Sequence, residues 1–430
     1  MTQLSLLDRG PSGLPRGAKP LVRGSAYRLA VLTAAVAVAV QPVLHPTGPG
    51  NSSPVDVLTL ATLVAVAVWA SASRVRLRAP YAFAAGTMAV AGAASGLFGP
   101  LPGITAVAVL QDVVLVTWCI ALANIARPAT VRLLLRVWAW TSIGWATILA
   151  AGFFTHNQAI LGITAREGNR ASFTFGDPNY AAIYWVLSIF VVYAVATPAR
   201  RPVRIAGYLL LLGALALTES NGGMLELAVA FTFLVLARMA RRHGLVPAVA
   251  TFLLVVTTVV VTLTAIPPSQ IRQWAMASGQ PFLVNSVGRS NGSSEQRSVL
   301  VRESFELYRQ DGLLGSGPAT TKPLLQMRQY PYAKEAHDDY LASLVERGPL
   351  GVLGLLGLTF SVGWRTARLL RRSPPGQPIA HPVGLVACIV VVAVAAAYYE
   401  VLHFRFVWVL FALVAAVAET PGPVPGVRRA

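Results

Sequence analysis

The segment His337-Asp338-Asp339-Tyr340-Leu341 opens the stretch of this chain best suited to acid–base chemistry. Tyr340, Leu341, Leu344 and Val345 recur at helical spacing, so a helix is expected over 338–346 with His337 at its N-terminal edge. The positive end of a helix disfavours an imidazolium, whereas Asp338 and Asp339 favour it, and the two effects oppose. A neutral imidazole can accept a proton and act as general base. The plainer reading, a surface histidine beside a helix cap, is the one given to His45, His156, His243, His381 and His403. Asp112 and Glu226 fall inside apolar runs, where an acid is costly and often tied to function. Asp112 is expected to pair within the bundle, and Glu226 to line the site near its outer end. Cys119 and Cys388 also sit in apolar runs and are read as packing residues. No metal-ligand spacing occurs, and no cofactor is expected.

The elements that must position these groups are membrane helices. Of 430 residues, 55% are hydrophobic and 12% charged, against about 25% charged in a soluble domain. Twelve apolar runs are long enough, or nearly so, to cross ~30 Å of hydrocarbon as helix. They lie near 26–44, 55–72, 81–98, 104–125, 133–154, 179–197, 204–218, 222–238, 246–266, 348–364, 382–399 and 402–418. The expected fold is an all-α polytopic membrane protein of about twelve transmembrane helices. Its divisions are a tail over 1–25, spans one to nine over 26–266, a polar loop over 267–347, spans ten to twelve over 348–418, and a tail over 419–430.

Charge sets the expected orientation. Clusters such as Arg74-Arg76-Arg78, Arg200-Arg201-Arg204 and Arg238-Arg241-Arg242 fall at alternate connections, and the short connections between them carry no basic residue. This positive-inside bias puts both termini in the cytoplasm, and the polar loop outside the cytoplasmic membrane. The net charge of +18 is then mostly a topology signal beside anionic lipid. Basic residues scattered at helix ends do not make a nucleic-acid face, so the expected partners include the bilayer and no nucleic acid.

Within the polar loop, a helix is expected to end near Arg309 and to be broken by Gly312, Gly315 and Gly317-Pro318. Three segments together resemble the O-antigen ligase and polymerase family. The first runs from His337 through Tyr340-Leu341 to Glu346-Arg347-Gly348-Pro349-Leu350-Gly351. The second is Arg297 followed by Leu313-Leu314-Gly315-Ser316-Gly317. The third is Arg170-Ala171-Ser172-Phe173-Thr174-Phe175-Gly176-Asp177-Pro178-Asn179. One departure is Thr218-Glu219-Ser220-Asn221-Gly222, where Asn221 stands in place of an arginine usual in the family.

The resemblance implies a GT-C-like, metal-independent glycosyltransferase. It would move a glycan from a polyprenyl-diphosphate carrier to a hydroxyl on a lipid, wall polymer or glycan outside the membrane. It implies His337 as catalytic base. Arg297, Arg170 and Arg302 become candidates for the diphosphate, since guanidinium grips phosphate oxygens in pairs and stays charged. Asn179, Asn221, Glu219, Asp338 and Tyr340 become candidates for lining the substrate. Without the family, Arg297 reads as pairing with Glu295 or Glu303, and Arg170 with Glu167 or Asp177. A polymerase of lipid-linked repeats and a protein O-glycosyltransferase share the motifs. A transporter is the rival from another class, but related halves and charged spans are both lacking.

Overall fold

The structure is a computed structural model describing residues 20–44, 53–163, 169–280, 283–284, 286–288, 292–371 and 379–419. His45, Glu167 and most of both tails lie outside the described residues. All regular structure among the described residues is helical. The first half holds α1 (Pro20–Ala39), α2 (Pro54–Ser73), α3 (Ala82–Phe98), α4 (Pro102–Ile125), α5 (Pro128–Phe154) and the short α6 (Gln158–Leu161). Then follow α7 (Pro178–Val195), α8 (Arg201–Leu217), α9 (Asn221–His243) and α10 (Leu245–Ala265). The polar segment carries α11 (Pro268–Ala277), α12 (Gly292–Asp311) and α13 (Thr321–Met327). The chain closes with α14 (Asp339–Arg371), α15 (Pro382–Ala396) and α16 (Arg405–Glu419).

Each apolar run of the sequence falls on one of these helices. Among the described residues seven helices, α2, α4, α5, α7, α9, α10 and α14, are long and apolar enough to cross a membrane; α3, α15 and the Gly24–Ala39 part of α1 are shorter apolar helices. Their starts follow local chemistry. Proline opens α2, α4, α5, α7 and α15, where its missing N–H would have had no helical acceptor. Asp177 caps α7 by accepting from Asn179 N at 2.6 Å, and Ser220 caps α9 by accepting from Gly223 N at 3.2 Å.

α7 is the axis of the bundle. Almost all of it is buried, among α5, α8, α9 and α15. The indole of Trp138 on α5 donates to Ser188 Oγ on α7 at 3.0 Å, fixing the rotation of one helix against the other. α10 is peripheral, with only Ala248 buried among its described residues. Among the described residues three ion pairs tie helices far apart in sequence: Arg405 to Asp56 at 2.5 Å, Arg347 to Asp112 at 2.6 Å and Arg365 to Glu419 at 3.2 Å. Asp112 therefore does pair within the bundle.

The polar segment is anchored from both sides. Leu300 and Leu307 of α12 share a small core with Leu324 and Leu325 of α13 and Val345 of α14. The turn between α12 and α13 lies against α3, where a side chain at Gly99 would strike the Ser316 carbonyl. Its backbone is satisfied by α14: Ser316 N donates to Val345 O at 3.0 Å and Gly317 N to Glu346 O at 2.9 Å. The Glu346 carboxylate accepts from Ala319 N at 2.9 Å and Thr321 Oγ1 at 2.8 Å.

α14 kinks at Gly348, whose φ of 63° and ψ of −167° leave room for the Leu313 carbonyl. A Cβ there would stand 2.2 Å from that oxygen, and the conformation is open essentially to glycine alone. Gly348→Ala is expected to cost about 2 kcal/mol or more and to lower the thermal midpoint in detergent. Gly363→Ala, in open space on the same helix, should leave it unchanged or raised. Equal midpoints for the two variants would refute the kink's role.

Candidate functional site

His337 has a left-handed backbone with φ 54°, uncommon for a residue bearing a Cβ. Two contacts hold it. Its N–H donates to Glu400 Oε1 at 3.3 Å, and its ring stacks on Tyr399 with centroids 5.1 Å apart and an angle of 27°. The Tyr399 hydroxyl is hydrogen-bonded to Asp177, the cap of α7. Asp338 then starts α14, its carboxylate accepting from Tyr340 N at 2.7 Å and Leu341 N at 3.2 Å. The imidazole thus sits where α7, α14 and the connection before α16 meet.

It faces a cavity of about 260 Å³. Arg170, Arg297 and Lys334 line this cavity, and Asp177 is the one carboxylate among the lining residues. Arg170 is held by Thr218 O at 3.0 Å and by Asn179 Oδ1 at 3.0 Å. Asn179 Oδ1 also accepts from Ser220 Oγ at 2.8 Å. Arg297 lies over the Tyr398 ring, 5.8 Å from its centroid. Tyr398 donates to the buried Glu226, and a Cβ at Gly222 would strike its ring. Glu226 is therefore not a lining residue; it holds the aromatic plate beneath Arg297. Among the described residues no carboxylate forms an ion pair with Arg297 or Lys334. The cavity carries an excess of positive charge, suited to an anion with several oxygens.

Of the residues picked out in the sequence, His337, Arg170, Arg297, Asn179 and Asn221 line the cavity together. Asn221 donates from Nδ2 to Ser286 O at 3.1 Å, so it ties α9 to the polar segment. Four of the expected residues lie off the cavity. Arg302 is exposed and lies off the cavity, because five residues along α12 turn it about 140° from Arg297. Asp338 spends its carboxylate on the helix cap. Tyr340 packs against the main core. Glu219 sits half-buried in a left-handed turn with φ 48°, off the cavity. Lys334, Asp177 and Tyr399 were missed as lining residues. Lys334 stands three residues before His337, which was the available signal; Tyr399 is distant in sequence and carried none.

The charges acting on the imidazole also differ from the expected ones. Burial lowers the His337 pKa below its ordinary 6.5; Glu335 and Asp177 raise it, and Lys334 and Arg297 lower it. Asp339, expected to act here, instead accepts from Val401 N at 3.0 Å. Burial also pulls Glu335 upward, but its bond to Lys322 at 2.8 Å, its backbone hydrogen bond and the charges of Lys322 and His337 leave its pKa below normal. Glu335 thus stays ionised beside a largely neutral imidazole at pH 7. Carbethoxylation of His337 by diethyl pyrocarbonate should follow the neutral ring, with a midpoint below pH 6.5. Removing a cation with Lys334→Gln should move that midpoint up, and removing an anion with Glu335→Gln should move it down. Shifts in the opposite sense would show that these charges do not face the ring.

Residues 206–356 match the family described as O-Antigen ligase. No curated protein matches the chain. The matched segment contains Asn221, Arg297, Lys334 and His337, and supports assigning this multi-pass helical protein to the O-antigen ligase family, with glycosyl transfer of ligase or polymerase type.

Proposed function

We propose that the protein is a metal-independent glycosyltransferase of ligase type that takes a glycan from a polyprenyl-diphosphate carrier and joins it to an acceptor hydroxyl. The observation that carries this reading is one cavity holding a largely neutral imidazole and three cations. The reaction needs both. As the acceptor oxygen bonds to the sugar C1, the bond from C1 to the diphosphate oxygen breaks. The leaving diphosphate takes up negative charge, which Arg297 and Lys334 stabilise by charge-assisted hydrogen bonds. The acceptor proton passes to His337. Arg170 reaches the same oxygens while bound to Asn179 and Thr218. Attack opposite the leaving group inverts the anomeric centre.

The chain would cross the cytoplasmic membrane twelve times in a GT-C-like arrangement, with 267–347 as a catalytic extracytoplasmic segment and both termini in the cytoplasm. This is supported by the clusters at Arg74–Arg78, Arg200–Arg204 and Arg238–Arg242, at connections or helix ends away from the His337 end of the chain's topology.

In proteoliposomes with a polyprenyl-diphosphate-linked glycan, His337→Ala should cut the transfer rate by about 100-fold or more, with donor binding retained. Full activity would dismiss the base. Arg297→Gln should raise the donor KM about tenfold, the worth of one charge-assisted hydrogen bond, and leave the acceptor KM within about twofold. An unchanged donor KM would dismiss the phosphate role.

A further inference from the structure

Behind Asp177, the one carboxylate lining the cavity of His337, a row of three side chains leads into the wall. The Tyr399 hydroxyl bonds to Asp177. The Tyr180 hydroxyl bonds to Tyr399. Tyr180 Oη lies 3.0 Å from His403 Nε2. His403 ends the row on a second cavity, of about 270 Å³, which Asp339 and Glu400 also line. The rings pack as closely as the polar atoms. Tyr180 meets Tyr399 edge-on with centroids 4.8 Å apart and Phe404 at 4.1 Å, and His403 meets Phe404 at 5.0 Å. Tyr399 in turn stacks on the His337 imidazole. The row thus joins α7, which carries Tyr180 and its cap Asp177, to the connection before α16, which carries Tyr399 and His403.

The protons of this row can be placed one by one. A carboxylate has no proton to give, so Tyr399 donates to Asp177. A hydroxyl has one hydrogen, so Tyr399 accepts from Tyr180. The Tyr180 hydrogen is thereby committed, and its oxygen accepts from His403 Nε2. Burial pushes the His403 pKa down to about 4; Glu335 raises it, and Arg405 and Arg347 lower it. The ring is neutral and carries one N–H, on Nε2, which leaves Nδ1 bare. All the bonds run one way, and in such a chain each donation strengthens the next. We infer that Tyr180 and His403 are positioning residues for the reaction: through Tyr399 they anchor the ring under His337 and draw the charge of Asp177 away from the cavity. The inference rests on the reading of His337 as the base and of its cavity as the donor's. A diphosphate entering among Arg170, Arg297 and Lys334 then meets a carboxylate already engaged by Tyr399 and by Asn179 N. The imidazole lies on a ring whose hydroxyl is held from two sides.

The His403 tautomer gives a test free of catalysis. In the full chain with isotope-labelled histidine, nitrogen NMR should report a protonated Nε2 and a bare Nδ1 for the signals that His403→Gln removes. The opposite tautomer would reverse the Tyr180 bond, break the row and overturn the inference, whatever the fate of His337 as base. Tyr180→Phe keeps the ring and removes the hydroxyl. It should slow transfer from a polyprenyl-diphosphate-linked glycan about fivefold, the contribution of one hydrogen bond. Added to Tyr399→Phe, it should cost less than about twofold more. Losses that multiply in the double variant would show that Tyr180 does not act through Tyr399, and would overturn the inference. A pH profile separates this role from mere packing. Without the donation from Tyr180, Tyr399 binds Asp177 less strongly, and more of that negative charge reaches His337. The carbethoxylation midpoint of His337 should therefore rise in Tyr180→Phe, with the other charges acting on the ring, Glu335, Lys334 and Arg297, in place. Asp177→Asn, which can still cap α7, should abolish that rise. No rise, or an equal rise without the carboxylate, would overturn the inference.

Discussion

A stretch of backbone pressed into a bundle of apolar helices must find partners for its N–H groups, since neither hydrocarbon nor side-chain methyls can supply them. In this protein the turn joining α12 to α13 is so placed, against α3. The edge of α14 answers it through the Val345 and Glu346 carbonyls and the Glu346 carboxylate. That set of bonds fixes where α12 and α14 lie relative to one another, and with them Arg297 and His337. The glycines on either side follow from the same requirement. Gly315 in the turn and Gly348 in the helix have positive φ where the two backbones approach too closely for a Cβ, and Gly317 has it where a Cβ would strike the Thr105 side chain of α4.

With that frame set, the site is built from the connection before α16. Tyr398 and Tyr399 point their rings under Arg297 and His337, and each is oriented through its hydroxyl, one by Glu226 and the other by Asp177. A flat aromatic face fixes a guanidinium or an imidazole without neutralising it. The cations therefore keep their charge for an incoming anion, and the imidazole keeps a free lone pair. An acid paired directly with Arg297 would have satisfied it and closed the site to phosphate.

The two cavities divide charge between them. Arg170, Arg297 and Lys334 face one, and carboxylic groups line the polar end of the other. A thin wall of residues 337–339 and 399–400 keeps them apart.

The sequence by itself determined the helices and the apolar class, because those depend on hydrophobic run length and on the glycines and prolines that bound the runs, all of which act locally. It also singled out His337, Arg297 and Arg170, whose motifs lie within short stretches of chain. Only the tertiary structure decided which side chains share a cavity. Arg302 and Tyr340 look equivalent to Arg297 and His337 in composition, and helical rotation turns one outward and the other into the core. Lys334 and Tyr399 join the site because α14 and the connection before α16 cross there. The Glu400 bond to His337 spans 63 residues. Such meetings depend on how helices pack, and packing is a property of many distant apolar surfaces at once, so no local pattern carries it.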